Sequence, residues 1–208
     1  MHKRLILIDF DGVIADSFQP AFEVQQMICP HLTEEVYRKR FEGNINNWAD
    51  PTNEHHDECR HDIDFFTEYI PRMNSHVKPF EGMASVLTQL AERNDIFIIS
   101  STLSQPIRDF LNRFQLDTCI SMVLGNDIHT SKVEKINMVL RERRVQPQDS
   151  LFITDTLGDI REAQEARVHV IAVAWGFHER NVLREGKPYA IVSEPEGLIQ
   201  AVNTYFAP

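Results

Sequence analysis

The sequence LILIDFDGV, from Leu5 to Val13, decides the fold class of this chain. Four consecutive apolar residues predict a strand that is buried on both faces, as in a parallel sheet covered by helices. Asp9 and Asp11 follow at its carboxyl end, and side chains two positions apart on a strand point the same way. We therefore expect two carboxylates on one face, at the edge where open α/β sheets bind ligands. A turn with two solvated acids is the simpler alternative for this motif alone.

Size, charge and cysteine content narrow the class of protein. The chain has 208 residues, enough for one large domain or two small ones. Its net charge of -10 argues against non-specific binding to nucleic acids and to anionic membrane surfaces. No apolar run reaches membrane-spanning length, and the first nine residues lack a signal-peptide pattern. Three widely spaced cysteines, Cys29, Cys59 and Cys119, predict reduced thiols and a cytoplasmic protein.

Apolar runs alternate with helical patterns from residue 82 onward. The predicted strands after the first lie at about 96–99, 120–124, 151–153, 168–174 and 190–192. Strands that alternate with helices predict a parallel sheet with right-handed crossovers. We therefore predict an α/β core domain, formed by residues 1–16 and 79–208, with helices on both sides of the sheet.

The segment from residue 17 to residue 78 has a different pattern, with helices and no convincing strand. Its predicted helices cover about 18–29, 34–41 and 57–70, and the last is expected to break at Pro71. We predict a small all-helical cap domain inserted after the first strand. Because the insertion follows that strand's carboxyl end, the cap is placed to act as a lid over the site.

Polar residues also follow the later strands. Ser100 and Ser101 come after the second strand, Lys132 after the third, and Asp155 and Asp159 after the fourth. Each has an ordinary explanation by itself: a helix cap, a solvated lysine, or acids in a first helical turn. Their occurrence in this order is much less expected by chance. In a parallel sheet all of them converge on the same edge.

With these residues in place, the sequence resembles the haloacid dehalogenase-like superfamily, in its phosphoglycolate phosphatase-like branch with a helical type-1 cap. Residues 9–13, DFDGV, look like its first motif, and Ser100 matches the second. Lys132 matches the third motif, with Lys135 as the alternative lysine, and residues 154–159, TDTLGD, match the acidic fourth. The resemblance spans nearly the whole chain and implies a Rossmann-like core.

The resemblance implies a Mg²⁺-dependent phosphatase that acts on a small phosphorylated metabolite. Asp9 would attack phosphorus and form an aspartyl-phosphate. Asp11 would protonate the leaving alcohol and then activate water. The metal would be held by Asp9, the backbone carbonyl of Asp11 and Asp155, with Asp159 in support directly or through water.

The same resemblance assigns residues that bind the phosphoryl group. Ser100 would donate a hydrogen bond to a phosphoryl oxygen, aided by a backbone N–H near Ser101 or Gly12. Lys132 would neutralise another oxygen and hold the nucleophile in place. Dehalogenases of the superfamily lack the second acid of the first motif, so its presence here favours phosphate chemistry over carbon–halogen cleavage.

Two other functions remain open at this point: a phosphomutase of the same superfamily and a non-catalytic haloacid dehalogenase-like binding protein. Phosphoglycolate-type, sugar and nucleoside phosphates all fit the motifs as substrates, and the oligomeric state is not encoded in them. In the cap, Trp48, His56 and Arg60 are candidate substrate contacts. Zinc at the neighbouring cluster of His55, His56, Cys59 and His61 is disfavoured, because its spacing is imperfect for a closed four-ligand site.

Overall fold

The computed structural model describes residues 4–47 and 58–207. Its strands are β1 Arg4–Ile8, β2 Asn94–Ile99, β3 Met122–Leu124, β4 Ser150–Thr154, β5 His169–Val173 and β6 Ala190–Val192. Its helices are α1 Phe18–Ile28, α2 Glu34–Lys39, α3 Phe65–His76, α4 Met83–Ala91, α5 Ser104–Arg113, α6 Lys132–Arg143, α7 Leu157–Glu165, α8 Arg180–Glu185 and α9 Gly197–Tyr205. The strands form one sheet in the order β3-β2-β1-β4-β5-β6, and all neighbouring pairs are parallel.

Helices cover both faces of the sheet, which explains why its strands are continuously apolar. Ile6 and Ile8 of β1 pack in a core layer with residues of α4, α5 and α9. Leu5 and Leu7 pack in the opposite layer with residues of α6, α7 and α8. The order of strands changes direction at β1, so β1 and β4 border the crevice where such sheets bind ligands. The predicted α/β fold with a Rossmann-like parallel sheet is confirmed.

The helices α1 to α3 belong to residues 17–78, which we call the helical insert. Two linkers connect it to the core and run side by side. The backbone N–H of Asp16 donates to the carbonyl of Lys78 at 2.9 Å, and the N–H of Phe80 donates to the carbonyl of Ile14 at 3.0 Å. This pairing brings the start and the end of the insert to one place, at the carboxyl end of β1.

The third helix of the insert differs from its prediction. It begins at Phe65 and continues through Pro71 to His76, instead of running from about residue 57 and ending before Pro71. Asp64 caps the helix, and its side chain accepts a hydrogen bond from the N–H of Thr67. A proline inside a helix costs one backbone hydrogen bond. Burial of Tyr69 on the adjacent turn offsets that cost, because its ring is 1% exposed.

The prediction of reduced cysteines is wrong for two of the three. Cys29 and Cys59 form a disulfide between the C-terminal end of α1 and the segment that leads into α3, whereas Cys119 is a free thiol. Thirty positions separate the paired residues, and no local pattern marks them as partners. Among the described residues, no helix is long and apolar enough to cross a membrane.

Candidate active site

Asp9 lies directly after β1, with both carboxylate oxygens held. Its Oδ1 accepts a hydrogen bond from the N–H of Phe10 at 2.8 Å, and its Oδ2 lies 2.8 Å from Nζ of Lys132. The residue is 5% exposed. Burial raises the pKa of Asp9 well above its usual value despite the charge of Lys132, and the nearby carboxylates of Asp159 and Asp155 raise it further. The carboxylate of Asp9 is therefore fixed in orientation, and a nearby cation would stabilise its charged form.

Lys132 is the first residue of α6 and joins two acids. Its Nζ lies 2.8 Å from Asp9 and 2.6 Å from Oδ2 of Asp159. Burial alone would lower the pKa of Lys132, but the charges of Asp159 and Asp9 outweigh it and raise that pKa. The ammonium therefore stays protonated. Lys135, the alternative lysine, donates to the carbonyl of Ser100 instead, and burial lowers its pKa to about 8.

Asp155 follows β4 and has one carboxylate oxygen available for a ligand. Oδ2 accepts a hydrogen bond from the N–H of Phe177 at 2.7 Å, whereas Oδ1 is buried without a hydrogen-bond partner among the described residues. Burial raises the pKa of Asp155 to about 7. Gly12 and Gly176 pack directly on this carboxylate, since an added Cβ would lie 1.9 and 2.2 Å from Oδ2. A side chain at either position would displace it.

These acids fit a hard divalent cation. Mg²⁺ is bound in proteins by one or two carboxylates and keeps several waters. Asp9 and Asp155 would supply two carboxylates, since the charge of Asp155 lies close enough to raise the pKa of Asp9. No three His, Cys, Asp or Glu side chains in the described parts of the chain form a metal cluster by themselves, so a carbonyl and waters must complete the shell. Asp159 would support the site through Lys132, because its Oδ2 accepts hydrogen bonds from Lys132 and from Thr154 at 2.6 Å each.

Asp11 is held by two hydroxyl donors. The hydroxyl of Tyr69 donates to Oδ1 at 2.9 Å, and Oγ1 of Thr102 donates to Oδ2 at 2.8 Å. Thr102 belongs to the loop after β2, and Tyr69 belongs to α3 of the insert. Neither was predicted as a site residue. The position of Thr102 after a strand is a signal that could have revealed it, whereas no local pattern marks Tyr69.

Ser100 does not line the cavity. Its side chain is fully buried, and its Oγ accepts a hydrogen bond from the N–H of Thr102 at 3.0 Å. Ser101 and Thr102 line the cavity in its place, because successive residues after a strand point in different directions. The N–H of Gly12, expected to face the phosphoryl group, donates to the carbonyl of Ala15 at 2.9 Å.

A cavity of about 270 Å³ lies between these residues and the insert. Its core side includes the carboxylates of Asp9, Asp11, Asp159 and Glu162 and the ammonium of Lys132. Its other side is formed by side chains of the insert, most of them apolar. The site is therefore a cavity with a polar floor on the core and a mostly apolar roof on the insert.

Hydrogen bonds fasten one edge of the insert to the core beside this cavity. Asn44 donates to Oε1 of Glu162 at 2.8 Å, and Asn46 donates to the carbonyl of Thr130 at 3.0 Å. The Nε2 atom of His178 lies 2.9 Å from the carbonyl of Arg38. The structure thus has the insert closed over the carboxyl end of the sheet.

The candidate substrate contacts in the insert have mixed outcomes. Trp48 and His56 lie outside the described residues. Arg60 pairs with Asp62 at 3.3 Å and does not line the cavity. In the histidine-rich cluster, Cys59 is in a disulfide and cannot be a thiolate ligand, which agrees with the low expectation of zinc there.

A family model for haloacid dehalogenase-like hydrolases matches residues 6–173. The chain belongs to this family. A phosphoglycolate phosphatase from Synechococcus elongatus is 25% identical, over 96% of this chain and 97% of that protein. The pyrophosphatase PpaX from Oceanobacillus iheyensis is 26% identical over the full length of both. N-acetylmuramic acid 6-phosphate phosphatase from Pseudomonas putida is 22% identical over 85% of each chain.

Solved structures of haloacid dehalogenase-like hydrolases share the fold. The family protein SP0104 from Streptococcus pneumoniae superposes with a TM-score of 0.79 at 18% identity, covering 96% of this chain and 98% of that one. A subfamily IA hydrolase from Geobacter sulfurreducens superposes with a TM-score of 0.65 at 21% identity, covering 96% and 100%. The predicted haloacid dehalogenase-like hydrolase, similar to phosphoglycolate phosphatases, is confirmed.

Proposed function

We propose that this hydrolase is a Mg²⁺-dependent phosphatase that cleaves a small phosphorylated metabolite through an aspartyl-phosphate on Asp9. The observation that carries the proposal is the contact of Asp9 with Lys132 in a cavity that Asp11 also lines, with the charge of Asp155 close enough to raise the pKa of Asp9. A carboxylate nucleophile, a fixed cation, an acid and a cation-binding oxygen are the parts that phosphoryl transfer requires. The phosphatase names of the three relatives agree with it.

In the first step, an oxygen of Asp9 attacks phosphorus and the bond from phosphorus to the ester oxygen breaks. Asp11 gives its proton to the leaving alkoxide, so that a neutral alcohol departs. Lys132 holds the nucleophile at 2.8 Å and offsets negative charge on the phosphoryl oxygens. Ser101 and Thr102 form the wall beside that group.

In the second step, Asp11 takes a proton from a water as that water attacks phosphorus. The bond between phosphorus and Asp9 breaks, and inorganic phosphate is released. Tyr69 and Thr102 each donate to one oxygen of Asp11, so the carboxylate keeps one orientation for both proton transfers. Mg²⁺, bound by Asp9, Asp155 and the carbonyl of Asp11, would shield the anionic nucleophile from the anionic phosphate. Asp159 supports the floor by anchoring Lys132 at 2.6 Å.

The insert acts as the cap domain in this proposal, with residues 1–16 and 79–208 as the core domain. Its closed position keeps bulk water away from the aspartyl-phosphate. We also keep the cytoplasm as the proposed location, in line with a phosphorylated metabolite as substrate. The Cys29–Cys59 disulfide is the feature that opposes this location, because disulfides are rare there.

The test compares Asp9→Asn with Asp109→Asn, a matched change of an exposed acid on α5. We expect wild type and the Asp109 variant to hydrolyse p-nitrophenyl phosphate with Mg²⁺, and Asp9→Asn to lose at least about a thousandfold in kcat with an unchanged circular dichroism spectrum. Mass spectrometry of the quenched wild-type enzyme should detect one added phosphoryl group. An active Asp9→Asn enzyme would disprove the nucleophile, and turnover that requires a sugar bisphosphate would indicate a phosphomutase instead.

A further inference from the structure

We propose that the leaving group of the substrate is an uncharged, largely apolar alcohol of about the size of one aromatic ring, and not a carboxylate-bearing alcohol such as glycolate. This inference rests on the proposed function and specifies the substrate class of the same site. Three observations carry it: the apolar roof of the cavity, the sign of the charge around it, and its volume.

The roof of the cavity is apolar. It is formed by Phe41, Ile45, Phe65 and Phe66 of the insert together with Phe177 of the core. The four insert side chains are only partly buried. The ring of Phe41 lies edge-on to that of Phe177, with 4.8 Å between centroids. Partly buried aromatic side chains that face a chamber are stabilised by an apolar or aromatic ligand, which removes their remaining surface from water.

The charge around the chamber is negative. Four acids line it, and Lys132 is the only lysine or arginine among the described residues that do so. Its ammonium is already shared between Asp9 and Asp159. Residues 48–57, WADPTNEHHD, contain neither lysine nor arginine, so that segment has no such side chain to contribute. A carboxylate on the leaving group would lose its water without gaining a lysine or arginine partner, which is unfavourable.

Arg40 of the insert stands behind the roof. Its Nη1 donates to Oε1 of Gln25 at 2.7 Å, and its guanidinium lies 5.8 Å from the ring centre of Tyr37. Gln25 and Tyr37 line the cavity and Arg40 does not. The roof thus presents a neutral amide, not a guanidinium, to the ligand. A hydroxyl or carbonyl group of the ligand can form a hydrogen bond with the amide of Gln25. A carboxylate is bound more strongly by a guanidinium such as that of Arg40, which Gln25 separates from the cavity.

The volume limits the leaving group. At about 270 Å³ the cavity lies at the small end of ligand pockets, which measure about 300–1,000 Å³. The phosphoryl group at the floor takes part of this space, and a single ring or a short chain suits the rest.

The experiment compares three esters of primary alcohols: benzyl phosphate, 2-hydroxyethyl phosphate and phosphoglycolate. The last two are similar in size and differ in charge. We expect kcat/KM for 2-hydroxyethyl phosphate to exceed that for phosphoglycolate at least about tenfold, and benzyl phosphate to be better still. Equal or faster hydrolysis of phosphoglycolate would overturn the inference and leave the proposed phosphatase intact.

Two variants test whether the side chains of the roof determine the preference for an apolar leaving group. Phe66→Ala should lower kcat/KM for benzyl phosphate about tenfold and lower that for 2-hydroxyethyl phosphate less, so that the ratio of the two falls. The matched control is Phe114→Ala, which removes an aromatic ring packed on Phe110 away from the cavity and should not change the ratio of the two substrates. A Phe66→Ala enzyme with the wild-type ratio would contradict a role of this roof in specificity.

Binding separates this inference from the proposed function. Calorimetry with the Asp9→Asn protein and Mg²⁺ measures the affinity for each ester without turnover. Tighter binding of benzyl phosphate than of phosphoglycolate supports the inference about the leaving group. If the wild-type protein hydrolyses neither ester, that result contradicts only the proposed phosphatase activity. Tighter binding of phosphoglycolate overturns the inference whatever the activity.

Discussion

The hydroxyl of Tyr69 lies 2.9 Å from Oδ1 of Asp11 and donates a hydrogen bond to it. The two residues come from different parts of the molecule, since Tyr69 belongs to α3 of the insert and Asp11 to the loop after β1. Burial and the charge of Asp11 raise the pKa of Tyr69 well above its usual value, so the phenol stays a donor. This bond depends on the position of the insert relative to the core, because it joins the two. Closure and the orientation of the proposed general acid are therefore coupled.

The first prediction concerns that bond. Tyr69→Phe should lower kcat for benzyl phosphate about 10- to 100-fold, because a loosely held Asp11 protonates the leaving alkoxide less efficiently. The loss should be much smaller for p-nitrophenyl phosphate, whose leaving group needs little protonation. Tyr189→Phe, at an exposed tyrosine, is the control. Equal losses for both substrates would point to a general structural effect and not to positioning of Asp11.

The second prediction concerns the buried ammonium. Lys132→Met should abolish turnover and destabilise the metal-free protein by about 3 kcal/mol, because it leaves Asp9 and Asp159 buried without their partner. That loss corresponds to a fall in Tm of roughly 10 °C for a chain of this size. Lys39→Met removes an exposed lysine that pairs with Glu35 and should change Tm by only about 1 °C. A Lys132→Met protein with wild-type Tm would show that the ion pairs do not stabilise the fold.

The third prediction concerns Mg²⁺ and pH. Burial raises the pKa of Asp155 to about 7, from 3.8 in a model peptide. A carboxyl group with a raised pKa favours the folded state at low pH, so the metal-free protein should lose stability as the pH rises from about 4 to about 7. Mg²⁺ replaces the proton. Saturating Mg²⁺ should therefore raise Tm by about 5–10 °C at pH 8 and much less at pH 5.

Asp155→Asn is the matched variant for this measurement. It removes the charge that Mg²⁺ would bind and keeps the size of the side chain. Its Tm at pH 8 should rise by no more than about 2 °C on addition of Mg²⁺. A full Tm increase in this variant would place the cation elsewhere.

The fourth prediction concerns the disulfide. Reduction of the Cys29–Cys59 bond, or its removal by Cys59→Ser, should lower the free energy of unfolding by about 2–4 kcal/mol. Cys119→Ser changes the free thiol and should leave the response to dithiothreitol unchanged. When the protein is denatured at lysis in the presence of an alkylating reagent, one thiol per chain should be alkylated. Three thiols, with a stability unaffected by reductant, would restore the reduced state predicted from the sequence.

The sequence by itself was enough to predict the sheet and most of the floor of the site. A buried strand between two layers of helices must be continuously apolar. A polar residue directly after its carboxyl end therefore stands out in the sequence as a candidate site residue. This local contrast predicts Asp9, Asp11 and Asp155 as site residues, because parallel strands bring their carboxyl ends to one edge, whereas Lys132 is predicted from the resemblance to the family's third motif. The geometry places all four around one cavity or directly beneath it.

Only the tertiary structure decided which neighbouring side chains face the cavity and what covers it. Ser100 and Ser101 are indistinguishable by type, and the path of the loop after β2 turns one inward and the other toward the ligand. Tyr69 reaches Asp11, and Cys29 pairs with Cys59, because the insert packs as a unit over the sheet. Such contacts join residues that are distant along the chain, and hydrophobic periodicity records only the face that a residue occupies within its own helix or strand.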